Sequence, residues 1–183
     1  MTTRIHLLLT PVMSDSVGKM IQLMARHYVQ YFNQQYGRTG TLWEGRYKSA
    51  LVDGNQYALD CYRYIERNPL RAGLVNSLEQ YPWSSYQHNA LGRPDGLLQP
   101  CSAYTSLAQT DQERLARYQI LCNTDIDIAL QNRIRQETNR SRVLGDEKFK
   151  RKVENLLGVD LSIKSRGGDR RSDAYRSQAF SCC

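Results

Sequence analysis

The chain has 183 residues with 25 Lys/Arg against 18 Asp/Glu, a formal net charge of +7, and a mean hydropathy of −0.61. That length suits one domain with an appendage, and the basic balance favours a polyanionic partner, nucleic acid before an anionic membrane surface. No run reaches the ~18 apolar residues of a membrane helix, and the five cysteines lie scattered at 61, 101, 122, 182 and 183 without a CxxC pair, which argues against a zinc site or a disulfide framework and for a reducing, cytoplasmic setting.

In chain order, Ile5–Leu9 is a short apolar run closed by Thr10-Pro11 and reads as a buried strand. Ser14 or Asp15 caps a long helix to about Tyr36, with Gly37 ending it. Val17, Met20, Ile21, Met24, Tyr28, Tyr31 and Phe32 keep the spacing of one apolar face, read as core, whereas His27 reads as an exposed or capping residue rather than a ligand. After the Gly37–Gly40 turn, residues 46–52 form a strand carrying Arg46 and Lys48 on one side, closed by Asp53-Gly54. A helix follows from near Asn55, with Tyr57, Leu59, Cys61, Tyr62 and Ile65 towards the core. Tyr81-Pro82-Trp83-Ser84-Ser85-Tyr86 is an aromatic loop packed on the sheet. Residues 92–110 read as a linker, followed by helices at about 111–122, 125–137 and 146–157 in a basic tail region (111–161). From Ser162 the chain is poor in apolar residues and reads as disordered. Residues 131–183 hold 13 Lys/Arg against 7 Asp/Glu, so most of the net charge sits there.

The helix over residues 61–68 carries the chemistry. Tyr64 and Asn68 are one turn apart, about 5–6 Å at their Cβ atoms, and Pro69 disfavours helical geometry at Asn68. A phenol beside an amide, ringed by Arg63, Arg67 and Arg71, suits a phosphodiester: the hydroxyl attacks phosphorus and guanidiniums hold the non-bridging oxygens. A core tyrosine beside a solvated arginine face accounts for the same residues. Glu66 is a general base or a salt-bridge partner of Arg63 or Arg67.

Four ordered blocks then stand together: His6–Pro11, Gly40–Ser49, Tyr64–Val75 and Tyr81–Tyr86. From Met1 to about Tyr86 the chain resembles the single-tyrosine transposases of the HUH class, in particular the REP-associated tyrosine transposases of bacteria. Leu144–Phe149 is similar to a tail on some members. The resemblance implies an α+β fold, with a ferredoxin-like antiparallel sheet and helices on one face, over residues 1–91, followed by a small helical C-terminal region. It implies that Tyr64 attacks single-stranded or hairpin DNA to leave a 5′-phosphotyrosine, with His6 and Asn68 holding a divalent metal, Mg²⁺ or Mn²⁺. Arg46, Lys48, Arg63, Arg67 and Arg71 would contact phosphates, in a bacterial, nucleoid-associated protein.

Two departures qualify it. Arg4 stands where the family has the first histidine of the metal pair, and arginine has no lone pair to donate. A strand, a helix and a further strand precede this point in the family, so the resemblance implies a truncated sheet, completed by a homodimer or a partner. The alternative is a non-catalytic DNA-binding remnant or decayed gene product, in which Arg4 replaces the cation.

Overall fold

The computed structural model describes residues 4–161. The elements are α1 (Ser16–Tyr36), β1 (Leu51–Val52), α2 (Gly54–Glu66), α3 (Asn68–Arg71), a 3₁₀ turn (Leu78–Gln80), α4 (Tyr86–Asn89), α5 (Ser102–Thr105), α6 (Asp111–Asn123), α7 (Ile128–Asn139), β2 (Val143–Leu144) and α8 (Glu147–Leu157). The fold is therefore mixed, and mostly helical. Among the described residues the two strands pair in parallel, Leu51 with Val143 and Val52 with Leu144. This differs from the antiparallel sheet expected from the sequence: the Ile5–Leu9 run and residues 46–50 form no ladder there. The expected tail helices at 111–157 are present.

Helix α2 organises the first compact unit, residues 1–146. Asp53 caps it, its side chain accepting from Asn55 N at 3.1 Å. Tyr57, Cys61 and Tyr64 recur at i, i+4 and i+7 and pack with Ile126, Ile134 and Leu144, flanked by Leu8 and Val52. Leu59, Tyr62 and Glu66 lie on the opposite side of the helix. There a second cluster gathers Leu78, Tyr86, Ala90, Tyr104, Tyr118 and Cys122. A helix apolar on both sides must be buried on both, which is why α2 holds even Arg63 and Glu66 inside. The 92–110 stretch, read as a linker, contains α5 and delivers Tyr104 into the second cluster. The aromatic loop divides: Tyr86 is fully buried in this helical cluster rather than on a sheet, and Trp83 is 85% exposed.

Pro69 has no N–H for the Ile65 carbonyl and its ring crowds that group. Accordingly α2 ends at Glu66, and Asn68 opens the one-turn α3 instead of closing α2. Arg67 bridges the two in helical geometry (φ −81°, ψ −7°). Gly73, at φ +66°, turns the chain out of α3 in a conformation that L side chains rarely adopt.

Ile5–Leu9 is extended but lacks a ladder partner among the described residues. His6 and Leu8 are half-buried, while Ile5, Leu7 and Leu9 are exposed. Helix α1 ends as the sequence indicates, Gly37 taking φ +59° and its N–H reaching Asn33 O. Its stripe, expected to be core, is only half covered. The 41–47 segment lies along one side, Trp43 Nε1 donating to Ala25 O at 3.3 Å and its ring 6.0 Å from that of Tyr28. Met20, Met24, Tyr28 and Tyr31 of the stripe remain exposed, as does Leu23, which that stripe does not include. The reason is that periodicity specifies an apolar face but not a neighbour to cover it.

The second unit begins at Glu147; α8 carries an ion pair between Lys150 and Glu147 at 2.8 Å. The expected disordered segment, 162–183, lies outside the described residues. Among the described residues no helix is long and apolar enough to cross a membrane.

Candidate functional site

Tyr64, Asn68 and Arg71 fall at i, i+4 and i+7 and share one side of the α2–α3 course. Tyr64 is 7% and Asn68 3% exposed. The Arg71 guanidinium lies 4.8 Å from the Tyr64 ring centroid, over its face, where the ring quadrupole attracts a cation. From the extended N-terminal segment, His6 meets the same ring edge-on, with centroids 6.2 Å apart and planes at 89°. Residues 58 positions apart in the chain thus converge on one phenol.

Arg71 holds this group in place. One terminal nitrogen donates to Asn68 Oδ1 and the other to Gln131 Oε1 at 3.0 Å; Gln131 is itself fixed by donating to Ile126 O at 2.8 Å. Asn68 Nδ2 is buried and has no hydrogen-bond partner among the described residues. The His6 imidazole is held below its ordinary pKa by burial first, then by the charges of Arg4 and Arg71.

The other arginines separate from the site. Arg63 donates to Thr124 O at 2.9 Å and Asp125 O at 3.3 Å and pairs with Asp60 at 3.3 Å. Arg67 donates to Cys122 O at 2.5 Å and pairs with Asp125. Both cap the carbonyl end of α6, where cations are favoured by the helix dipole, so these two guanidiniums are committed to packing. Arg46 and Lys48 are exposed, Arg46 in a bend and Lys48 in the irregular stretch before β1, rather than on a strand.

Glu66 is neither a base for Tyr64 nor a partner of Arg63 or Arg67. Two residues on from Tyr64, it points to the other side of α2. It is 1% exposed and accepts from Ser85 Oγ at 2.6 Å, Asn89 Nδ2 at 2.9 Å, Tyr118 OH at 2.7 Å and Cys122 Sγ at 3.6 Å. Burial raises its pKa against the opposing pull of these donors. The network ties α2 to the 85–89 segment and to α6. Local patterning could not reveal it, since its partners lie 19–56 residues away.

A divalent cation does not fit these residues. Asn68 Oδ1, the oxygen the resemblance assigns to a metal, is occupied by a guanidinium. His6 contributes a single imidazole, with the Arg4 and Arg71 charges acting on it, whereas Mg²⁺ and Mn²⁺ require a set of oxygen ligands. Among the described residues no group of three or more His, Cys, Asp or Glu side chains is arranged to hold a metal.

Comparison with protein-family models, curated proteins and solved structures finds no match for this chain.

Proposed function

We propose that the chain is a transposase-like protein that binds single-stranded or hairpin DNA and brings a backbone phosphate to Tyr64. The observation that supports this most is the gathering of His6, Tyr64, Asn68 and Arg71 around one phenol. In the cleavage step of this reading, the Tyr64 phenolic oxygen forms a bond to phosphorus while the bond from phosphorus to the 3′-oxygen breaks. The phenolic proton passes to water, the departing 3′-oxygen takes one up, and a 5′-phosphotyrosine remains. Arg71 holds a non-bridging oxygen of the phosphate under attack, and neutral His6 borders the ring. The extended 5–9 segment corresponds to a strand whose open edge takes further strands, from a second copy or another partner, to complete a ferredoxin-like antiparallel sheet. Such a protein acts at the bacterial nucleoid.

The test is a hairpin oligonucleotide labelled on the flank that stays attached to protein, incubated with the full chain. A denaturation-resistant adduct that disappears in Tyr64→Phe is expected. DNA binding without any Tyr64-dependent adduct overturns the cleavage step.

The burial of Tyr64 under the Arg71 guanidinium favours a second reading, a non-catalytic binder of the same DNA. In that case Tyr64→Phe leaves both affinity and function intact.

A further inference from the structure

We propose that Asn68 Nδ2 and the Arg71 guanidinium, with His6 beside them, form a site that binds a phosphodiester oxygen directly, with no divalent cation between protein and DNA. This rests on the DNA-binding reading above.

The amide orientation decides the chemistry. An asparagine amide presents an acceptor at one end and two donors at the other. Arg71 has only donors, and it contacts Asn68 at Oδ1; turning the amide over would set N–H against N–H. The Arg71 contact therefore fixes Nδ2 as the end left over, inside a residue 3% exposed. A buried donor without an acceptor costs about 1–3 kcal/mol; among the described residues Asn68 Nδ2 is one of five buried side-chain polar atoms without a partner, and the one that lies in the group with His6, Tyr64 and Arg71. A nitrogen bearing two hydrogens has no lone pair for a cation. What it lacks is an acceptor, and a non-bridging phosphate oxygen is one.

The surroundings carry the same sign. Among the described residues Arg71 donates from two of its five N–H groups, to Asn68 Oδ1 and Gln131 Oε1, which leaves three there in the planar fork that suits phosphate. The charges of Arg4 and Arg71 both reach His6, and no acidic side chain is among the polar contacts of Asn68 and Arg71 described above. An arginine at position 4, unusable as a metal ligand, is consistent with an anion in this place.

The test measures binding of a fluorescein-labelled hairpin oligonucleotide to the full chain by anisotropy, once with EDTA and once with Mg²⁺. Equal dissociation constants, within about twofold, are expected. Asn68→Asp keeps an oxygen for Arg71 and turns the free donor into a second carboxylate oxygen. Affinity in EDTA should then fall tenfold or more, about 1.4 kcal/mol, with no recovery in Mg²⁺. A cation site gives the opposite sign: wild-type binding requires Mg²⁺, and Asn68→Asp retains or strengthens it. That result overturns the anion site and leaves the DNA reading standing.

Should Asn68→Asp not fold, the wild-type chain answers alone, through the Asn68 side-chain ¹⁵N–¹H resonances titrated with dimethyl phosphate in EDTA. A saturable shift supports the site, and no shift overturns it. A shift with dimethyl phosphate in a chain that binds no hairpin or single-stranded DNA overturns the DNA reading while the phosphate site stands.

Discussion

Replacing Arg63 by glutamine separates two uses of a guanidinium, holding a fold together and holding a phosphate. Arg63 is 9% exposed, and its Nη2 donates to two carbonyls beyond the last turn of α6, Thr124 O at 2.9 Å and Asp125 O at 3.3 Å. A hydrogen bond from a charged donor is worth about 1.5–3 kcal/mol. The i,i+3 pair with Asp60, at 3.3 Å with Asp60 28% exposed, adds about 0.2–0.5 kcal/mol. Arg63→Gln should therefore destabilise by about 2–3 kcal/mol, which at about 2–4 °C per kcal/mol for a chain of this size lowers Tm by about 4–12 °C. The assay pairs a thermal melt with the salt dependence of DNA affinity at a temperature where the variant is folded. Losing a phosphate contact on a single strand lowers the slope of log K against log salt by about 0.7. The expected slope is unchanged. A variant with unaltered Tm and a shallower slope would refute the reasoning, because Arg63 would then be on DNA and not on α6.

Glu66→Gln should change how stability depends on pH. Burial raises the Glu66 carboxyl above its ordinary value of 4.5, so through that window the folded chain binds the proton more tightly than the unfolded one. Below 4.5 both states are protonated and there is no slope; as pH rises from there through the raised folded value, stability is lost, then levels off. The difference in unfolding free energy, wild type minus Glu66→Gln, should accordingly decline with pH over this range in parallel denaturant titrations, and a flat or rising difference contradicts the buried position. The Cys61 and Cys122 thiols, each pushed up to about 12 mainly by burial, should resist iodoacetamide at pH 8 in the folded chain and react once it is denatured; peptide mapping that finds either labelled in the native state speaks against the two core clusters. Because Leu23 and Tyr31 are 56% and 62% exposed, Leu23→Gln and Tyr31→Gln should each shift Tm by no more than about 2 °C, and a fall beyond about 5 °C would mean that the outer side of α1 is covered in the monomer.

What the sequence makes legible here is what neighbouring residues encode. The start of α2 follows from the Asp53 cap and its break from Pro69; the end of α1 follows from Gly37. Likewise Tyr64 and Asn68 share a face because four residues is one turn. Other features depend on residues far along the chain. Leu51 pairs with Val143 across 92 positions, and a two-residue strand has too little alternation to announce its partner. Arg63 and Arg67 look like a phosphate clamp from their spacing, yet each meets carbonyls 55–62 residues away at the end of α6. Glu66, two residues from the candidate nucleophile, reads as its base only until α2 is seen to be buried on both sides. The apolar stripe of α1 is readable, and its partial exposure is not, since amphipathicity carries no information about what lies opposite. At the site, the pairing of Arg71 with Asn68 Oδ1 is an i,i+3 relation on one helical course, and it turns a metal-ligand reading of Asn68 into a donor.

Most directly at issue is whether DNA reaches the group formed by His6, Tyr64, Asn68 and Arg71. A hairpin oligonucleotide with a bromodeoxyuridine scanned through its single-stranded flank can be photocrosslinked to the full chain and the attached peptides sequenced by mass spectrometry. Attachment within residues 4–10 or 61–71, lost on competition with unlabelled hairpin, is the expected result. Crosslinks confined to the 46–48 stretch or to α8, with none at these residues from any flank position, would contradict the account.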